Sequence, residues 1–378
     1  MLIRVSNDII NCVIETACAN HEAALHTFRE LLMAAKRHKH VVFFPELTEQ
    51  QIVHLSGMLT KEEKRVLSYI HSRRFEVNNI CPLLEQSICV TYQIPDVPEA
   101  NVIYLNPQNQ RDVELYEETH LITENLSDAG FYSTIVGCNF VTRKHIPEKL
   151  KKMSFYPTQG GGSTIADVVG KEQELAQHIC LIISDSDKKY DGAPEGDTPT
   201  GIRAKIKEFE KTHSSYIPFQ KLYVLSHVRE IENLIPLNVL SSVSGRPQKA
   251  FLTAYASHMS YYDIKDGLDY RGLHDSLTYR YWETIFGALP VWNQIKQCKR
   301  DHRSYEKYKD AVKELPPLDG KWGGSILKSI MYPSYKKEKE AYIKLKNTNF
   351  DALTDSQKQE WEQIGRLVYT WCCCYSGL

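Results

Sequence analysis

The sequence is short of the features that would assign it most simply. Its first residues, Met1-Leu2-Ile3-Arg4-Val5-Ser6-Asn7-Asp8, lack the basic start and apolar core of a secretory leader. No apolar run approaches the length of a membrane span. A formal net charge of -1 gives no general pull toward nucleic acid or anionic lipid, so any phosphate-binding surface has to be a local patch. The ten cysteines include no CxxC pair. Cys372-Cys373-Cys374, if helical, would point to different faces and make a poor tetrahedral zinc set. There is no internal repeat and no low-complexity tract. These absences argue against a secreted, membrane-embedded or zinc-ribbon protein. The expectation is a cytoplasmic chain with reduced, mostly buried thiols, its cysteine triplet packed in a C-terminal helix.

What is present reads as globular, with 42% hydrophobic and 25% charged residues over a length of 378 that suits two or three domains. Residues 1–117 read as an α/β region of unassigned role. It has helical spacing from Glu22 to Ala35, strand-like runs at Val41–Phe44, Ile88–Tyr92 and Asn101–Leu105, and a capping-box spacing at Thr60 and Glu63. The carboxylates here, such as Asp8 and Glu46, have no second motif beside them and read as solvated or structural. Residues 118–242 alternate apolar runs with amphipathic helices, the pattern of a parallel sheet with crossover helices. Four strands are expected, at His120–Thr123, Met153–Pro157, Ile179–Ile183 and Leu222–Leu225. Residues 243–378 read as mainly helical, with breaks at Pro316-Pro317-Leu318-Asp319-Gly320 and Tyr332-Pro333. Basic clusters there, Lys296–Arg303 and Tyr335–Lys339, read as solvated helix faces, with nucleic-acid backbone contact as the rival reading.

Chemistry concentrates at the strand ends of the middle region. The run Ile179–Ile183 stops at Ser184-Asp185-Ser186-Asp187, and carboxylates two residues apart on an extended chain share a side. Glu124 follows the first strand, and Glu230 and Glu232 follow the fourth. Ligands bind open α/β sheets at that edge. An all-oxygen carboxylate set suits Mg²⁺ or Mn²⁺. Gly160-Gly161-Gly162 precedes a helix running from Ser163 to Gln177, which Ser163 or Thr164 could cap. The run lacks the Lys-Ser/Thr ending of a Walker A loop and the GxGxxG spacing, so it reads either as a phosphate cradle, with Ser163, or as a tight β-to-α turn. Lys188 or Lys189 could neutralise charge on a phosphate.

Leu121-Ile122-Thr123-Glu124-Asn125-Leu126-Ser127-Asp128-Ala129 resembles the first motif of Toprim domains, a strand ending in Glu-Gly followed by a loop and an Asp. Ile182-Ile183-Ser184-Asp185-Ser186-Asp187 resembles the second, a strand ending in DxD. The glycine-rich turn between them and Arg229-Glu230-Ile231-Glu232-Asn233 resemble Toprim nucleases of the OLD type, including effectors of bacterial anti-phage defence. The resemblance spans roughly residues 118–242. It implies a Toprim-like, Rossmann-like parallel sheet core flanked by the N-terminal α/β and C-terminal helical regions. It also implies that Glu124, Asp185 and Asp187 bind catalytic Mg²⁺ or Mn²⁺, with Asp128 and one or both of Glu230 and Glu232 completing a two-metal site. Asn125 departs from the pattern, standing where the family usually has glycine.

The expected activity is metal-dependent cleavage of phosphodiester bonds in DNA or RNA, with Lys188 beside the scissile phosphate. OLD-type nucleases are often joined to an ATPase, and no Walker A motif is found here, so the resemblance implies a separate ATPase or sensor partner. Homo-oligomerisation is left open, and no membrane partner is expected. Two rivals stand beside this reading. One is a primase- or topoisomerase-like enzyme, for which 22 tyrosines offer many nucleophiles and no local signature. The other is a non-catalytic binding or regulatory protein with a structural acidic cluster.

Overall fold

The computed structural model describes residues 1–108, 117–175, 178–212, 219–265, 273, 275–300 and 326–377. Residues 301–303 of the basic stretch, the break at 316–320 and the side chain of Ser163 lie outside the described residues. The chain forms two compact units: Met1–Ile183 with Ala204–Tyr223 and Glu362–Leu378, and Ser184–Arg203 with Val224–Trp361.

The first unit is α/β. Strands β1 (Leu2–Val5), β2 (Val41–Phe43), β3 (Ser87–Val90) and β4 (Val102–Leu105) form a parallel sheet in the order β2-β1-β3-β4. Near-continuous burial along β1, β2 and β3 is what a parallel sheet covered on both faces requires. The central strand β1 escapes the sequence reading because four residues at the chain start are too few to show a period. Asp8, just past β1, is structural: its Oδ2 accepts from Thr91 Oγ1 and from the amides of Tyr92 and Gln93. Thr60 and Glu63 form the expected capping box.

A second sheet uses β5 (Thr119–Thr123), β7 (Phe155–Gln159), β8 (Cys180–Ser184) and β9 (Gln220–Val224), in the order β7-β5-β8-β9; the short β6 (Lys152–Met153) stands outside it. Pairing is parallel from β5 to both β7 and β8, with His120 opposite Tyr156 on one side and Cys180 on the other. The α/β class with parallel sheets is therefore as expected. Both sheets run second-first-third-fourth in their own strand order, which puts the first strand of each in the interior.

Two cysteine expectations are corrected. Cys12 and Cys18 are joined by a disulfide, not reduced; the turn after the helix Asn7–Ile14 brings their Cα atoms to 5.5 Å, within bridging range. The triplet is not a helical run either. Cys372 ends the helix Asp355–Cys372, while Cys373–Cys374 form β10, antiparallel to β6. All three thiols are buried, as anticipated. This C-terminal segment secures the first unit. The Met1 ammonium donates to Cys373 O (2.8 Å), Thr119 Oγ1 to Trp371 O, and Tyr375 Oη to Val42 O (2.7 Å).

The second unit is helical across its described residues, with an aromatic core of Phe251, Tyr255, Tyr262, Tyr279, Trp282, Phe286 and Trp292. Among the described residues, no helix is long and apolar enough to cross a membrane.

If the C-terminal segment secures the first unit as described, Trp371→Ala costs about 3–5 kcal/mol by emptying a fully buried site. Tyr375→Phe costs only about 1 kcal/mol, the worth of one hydrogen bond. Urea unfolding of the two variants checks the order.

Candidate metal centre

Strand β8 is buried along its length and carries the chain to Asp185, itself buried. The turn that follows folds onto the segment after β9. The amides of Ser186 and Asp187 both donate to Arg229 O (2.9 and 3.0 Å), and Ser186 Oγ donates to Val228 O (2.7 Å). Asp185 Oδ1 accepts from the Ile231 amide at 2.9 Å. These bonds fix Asp185 beside Glu230 and Glu232, and ligand oxygens of the three carboxylates lie within 4.8 Å of one another. All three side chains are at most 8% exposed.

A third segment completes the group. Asn233 Nδ2 donates to Met259 O (2.7 Å) and Tyr262 O (2.8 Å), the Arg229 amide donates to Ser260 O (2.8 Å), and Arg229 pairs with Asp263 (2.8 Å). Glu230 Oε1 accepts from the Ile264 amide at 3.0 Å. The turn held this way presents Lys265, whose Nζ lies 3.2 Å from Glu230, 3.3 Å from Glu232 and 3.9 Å from Asp185. Glu232 Oε2 has no hydrogen-bond partner and meets only this ammonium among the described residues.

The electrostatics follow from burial. Loss of water pushes the carboxyls of Glu230 and Glu232 above the usual range; at Glu230 the neighbouring Glu232 adds to the rise and Lys265 opposes it. Burial works against the Lys265 ammonium too, but Glu230, Glu232 and Asp185 outweigh it and hold the lysine protonated. The three carboxyls facing this one cation offer only hard oxygen donors. That donor set fits Mg²⁺ or Mn²⁺ and is wrong for soft metals.

Of the residues singled out in the sequence, this centre unites Asp185, Glu230 and Glu232. Asp187 is set differently. Its φ of +54° ends the extended chain, so the rule that placed both aspartates on one side no longer applies past Ser186. Its carboxyl is raised by burial, with Arg229 and Lys265 opposing. Gly196 packs so closely that a Cβ there would stand 2.4 Å from that of Asp187. Lys188 Nζ reaches Ser226 O at 3.4 Å.

Glu124, Asp128 and the glycine run belong to the first unit. Glu124 follows β5 and is half-buried. Asp128 serves the helix Leu126–Phe131: Oδ2 accepts from the Asn125 amide (2.9 Å) and Oδ1 from Ser127 Oγ (3.1 Å). Asn125 is extended at φ -131°, a conformation open to any residue, so glycine is not needed there. Gly160 and Gly161 donate their amides to Thr123 O (2.7 Å) and Glu124 O (2.9 Å), which commits them to the turn instead of to a phosphate. Gly161 and Gly162 have φ of +73° and +59°, and a Cβ on Gly160 would meet Ile165 at 2.4 Å. The turn needs all three glycines. Thr164 does not cap the helix that follows; its hydroxyl donates back to Gly160 O at 2.6 Å.

Sequence reasoning missed Lys265, Asp263 and Asn233 as parts of the site. The lysine sits in no motif, and only the fold brings it back to the strand-end carboxylates. Comparison with protein-family models, with curated proteins and with solved structures finds no match to this chain.

Removing the ammonium strands three buried carboxylates. Lys265→Ala is expected to lose about 3 kcal/mol in the presence of chelator. Carboxyls raised in the folded state contribute stability at low pH that is lost as pH rises through the raised range. The deficit of Lys265→Ala should therefore widen from mildly acidic to mildly alkaline pH, as melting temperatures in a pH series will record.

Proposed function

We propose that the protein is a metal-dependent phosphodiesterase acting on DNA or RNA, with a Toprim-type core and its metal site at Asp185, Glu230 and Glu232. The observation that carries this reading is the crowding of three buried carboxylates around a single lysine. A divalent ion bound there would supply Lewis-acid polarisation of a phosphoryl oxygen and acidify a water molecule. In this reading Asp185 and Glu230, each steadied by a backbone amide, hold fixed ligand positions. Glu232 offers Oε2, which in the structure meets the Lys265 ammonium at 3.3 Å. Asp187, whose carboxyl burial raises, lies two residues past Asp185, and Lys188 faces the phosphate. Lys265 competes with the ion for the same oxygens. The family resemblance, and not the geometry, brings Glu124 and Asp128 into the proposal. The same holds for a second metal, a cytoplasmic setting, a defence role and a separate ATPase or sensor partner.

One observation favours a second reading. Lys265 already pairs with all three carboxylates, as it would in a structural cluster of a non-catalytic nucleic-acid-binding or regulatory protein.

Incubation of DNA and RNA with Mg²⁺ or Mn²⁺ separates the two. Nuclease action predicts cleavage that falls by about 100-fold or more in Asp185→Ala and in Glu230→Gln. Equal cleavage by wild type and Asp185→Ala would remove the site assignment, and binding without cleavage would leave the structural reading. Protonated carboxyls cannot ligate, so Mn²⁺ affinity should also rise with pH through the raised range of Glu230 and Glu232. Calorimetric titration at several pH values measures it.

A further inference from the structure

A second group of metal-type donors lies wholly within the first unit, near the starts of β5 and β8. His120 is the second residue of β5, His178 precedes β8, and Glu172 projects from the helix Ile165–Leu175. His120 Nδ1 lies 3.3 Å from Glu172 Oε1, and His178 Nδ1 lies 3.0 Å from Glu172 Oε2. The two imidazoles stack with centroids 3.8 Å apart and planes 19° apart, and Tyr156 packs against His120 at 5.0 Å. All three ligand residues are half-buried, and their ligand atoms fall within 4.8 Å of one another.

We propose that His120, His178 and Glu172 form a binding site for a borderline divalent metal ion, Zn²⁺ foremost, with a fourth position left for water. Two imidazole nitrogens and a carboxylate are a zinc donor set, distinct from the all-oxygen set of the carboxylate centre. The spacing suits it. Ligand atoms about 2.0–2.1 Å from a tetrahedral ion stand about 3.3 Å from each other. His120 Nδ1 is at that distance from Glu172 Oε1, His178 Nδ1 is on the other oxygen, Oε2, and one ligand atom from each residue lies within 4.8 Å of the others. Both rings turn the same nitrogen, Nδ1, to one carboxylate. An ion here would tie β5, the crossover helix and the start of β8 together.

Zn²⁺ titration of the full chain by calorimetry, with metal content after dialysis, tests the site. Wild type and Asp185→Ala should each retain one equivalent. His178→Gln and Glu172→Gln should each bind at least about 100-fold more weakly, since loss of even an outer partner costs about 10–100-fold. Co²⁺ in the wild type should give tetrahedral ligand-field bands without thiolate charge transfer. No bound zinc in the wild type, unchanged affinity in whichever of the two variants folds, or a thiolate signature would each overturn the proposal; the first would leave an ion-paired histidine cluster only.

Discussion

Three carboxylates withdrawn from water within 4.8 Å of one another cannot all carry charge without a cation among them, and this constraint organises the second unit. Lys265 meets it in the structure described. To deliver that ammonium the chain commits a run of polar groups. Arg229 and Asn233 on one segment grip residues 259–263 of the other, and the Ile264 amide caps Glu230. Behind this turn Tyr262 packs against Phe251 and Trp282, so the aromatic core serves as the wall that holds the lysine in place. Crowding three carboxyls out of water around one ammonium is costly as pure scaffolding. That cost is the physical argument for an ion-binding role.

The parallel strands explain why acidic groups arrive where they do. A parallel strand hands its chain to a loop at its C-terminal end, so Glu124 after β5, Asp185 after β8 and the Arg229–Asn233 segment after β9 all emerge at strand ends of one polarity. The opposite ends of β5 and β8 carry the histidines.

Much of this was legible in the sequence. The apolar run Ile179–Ile183 announced a fully buried strand, and Asp185, Glu230 and Glu232 could be read as a group from their position after strands. What was hidden depends on tertiary contact or on backbone detail. Lys265 lies 33 residues past Glu232 in sequence, in a turn with no motif. The left-handed φ of Asp187 breaks an alternation that the DxD pattern suggested. For Gly160 and Gly161 a phosphate cradle and a tight turn were both open, because sequence shows glycine but not where its amide points; the amides go to Thr123 O, the last residue of β5, and to Glu124 O just past it. The Cys12–Cys18 bond rests on a turn that no spacing rule identified. Asn125, which stands where the Toprim pattern has glycine, has an extended backbone that any residue adopts.

The most direct measurement is anomalous diffraction from crystals soaked in Mn²⁺. The account predicts a peak bounded by Asp185, Glu230 and Glu232, with the Lys265 ammonium displaced from its place between them. A map with no peak there and Lys265 still paired to all three carboxylates would contradict it.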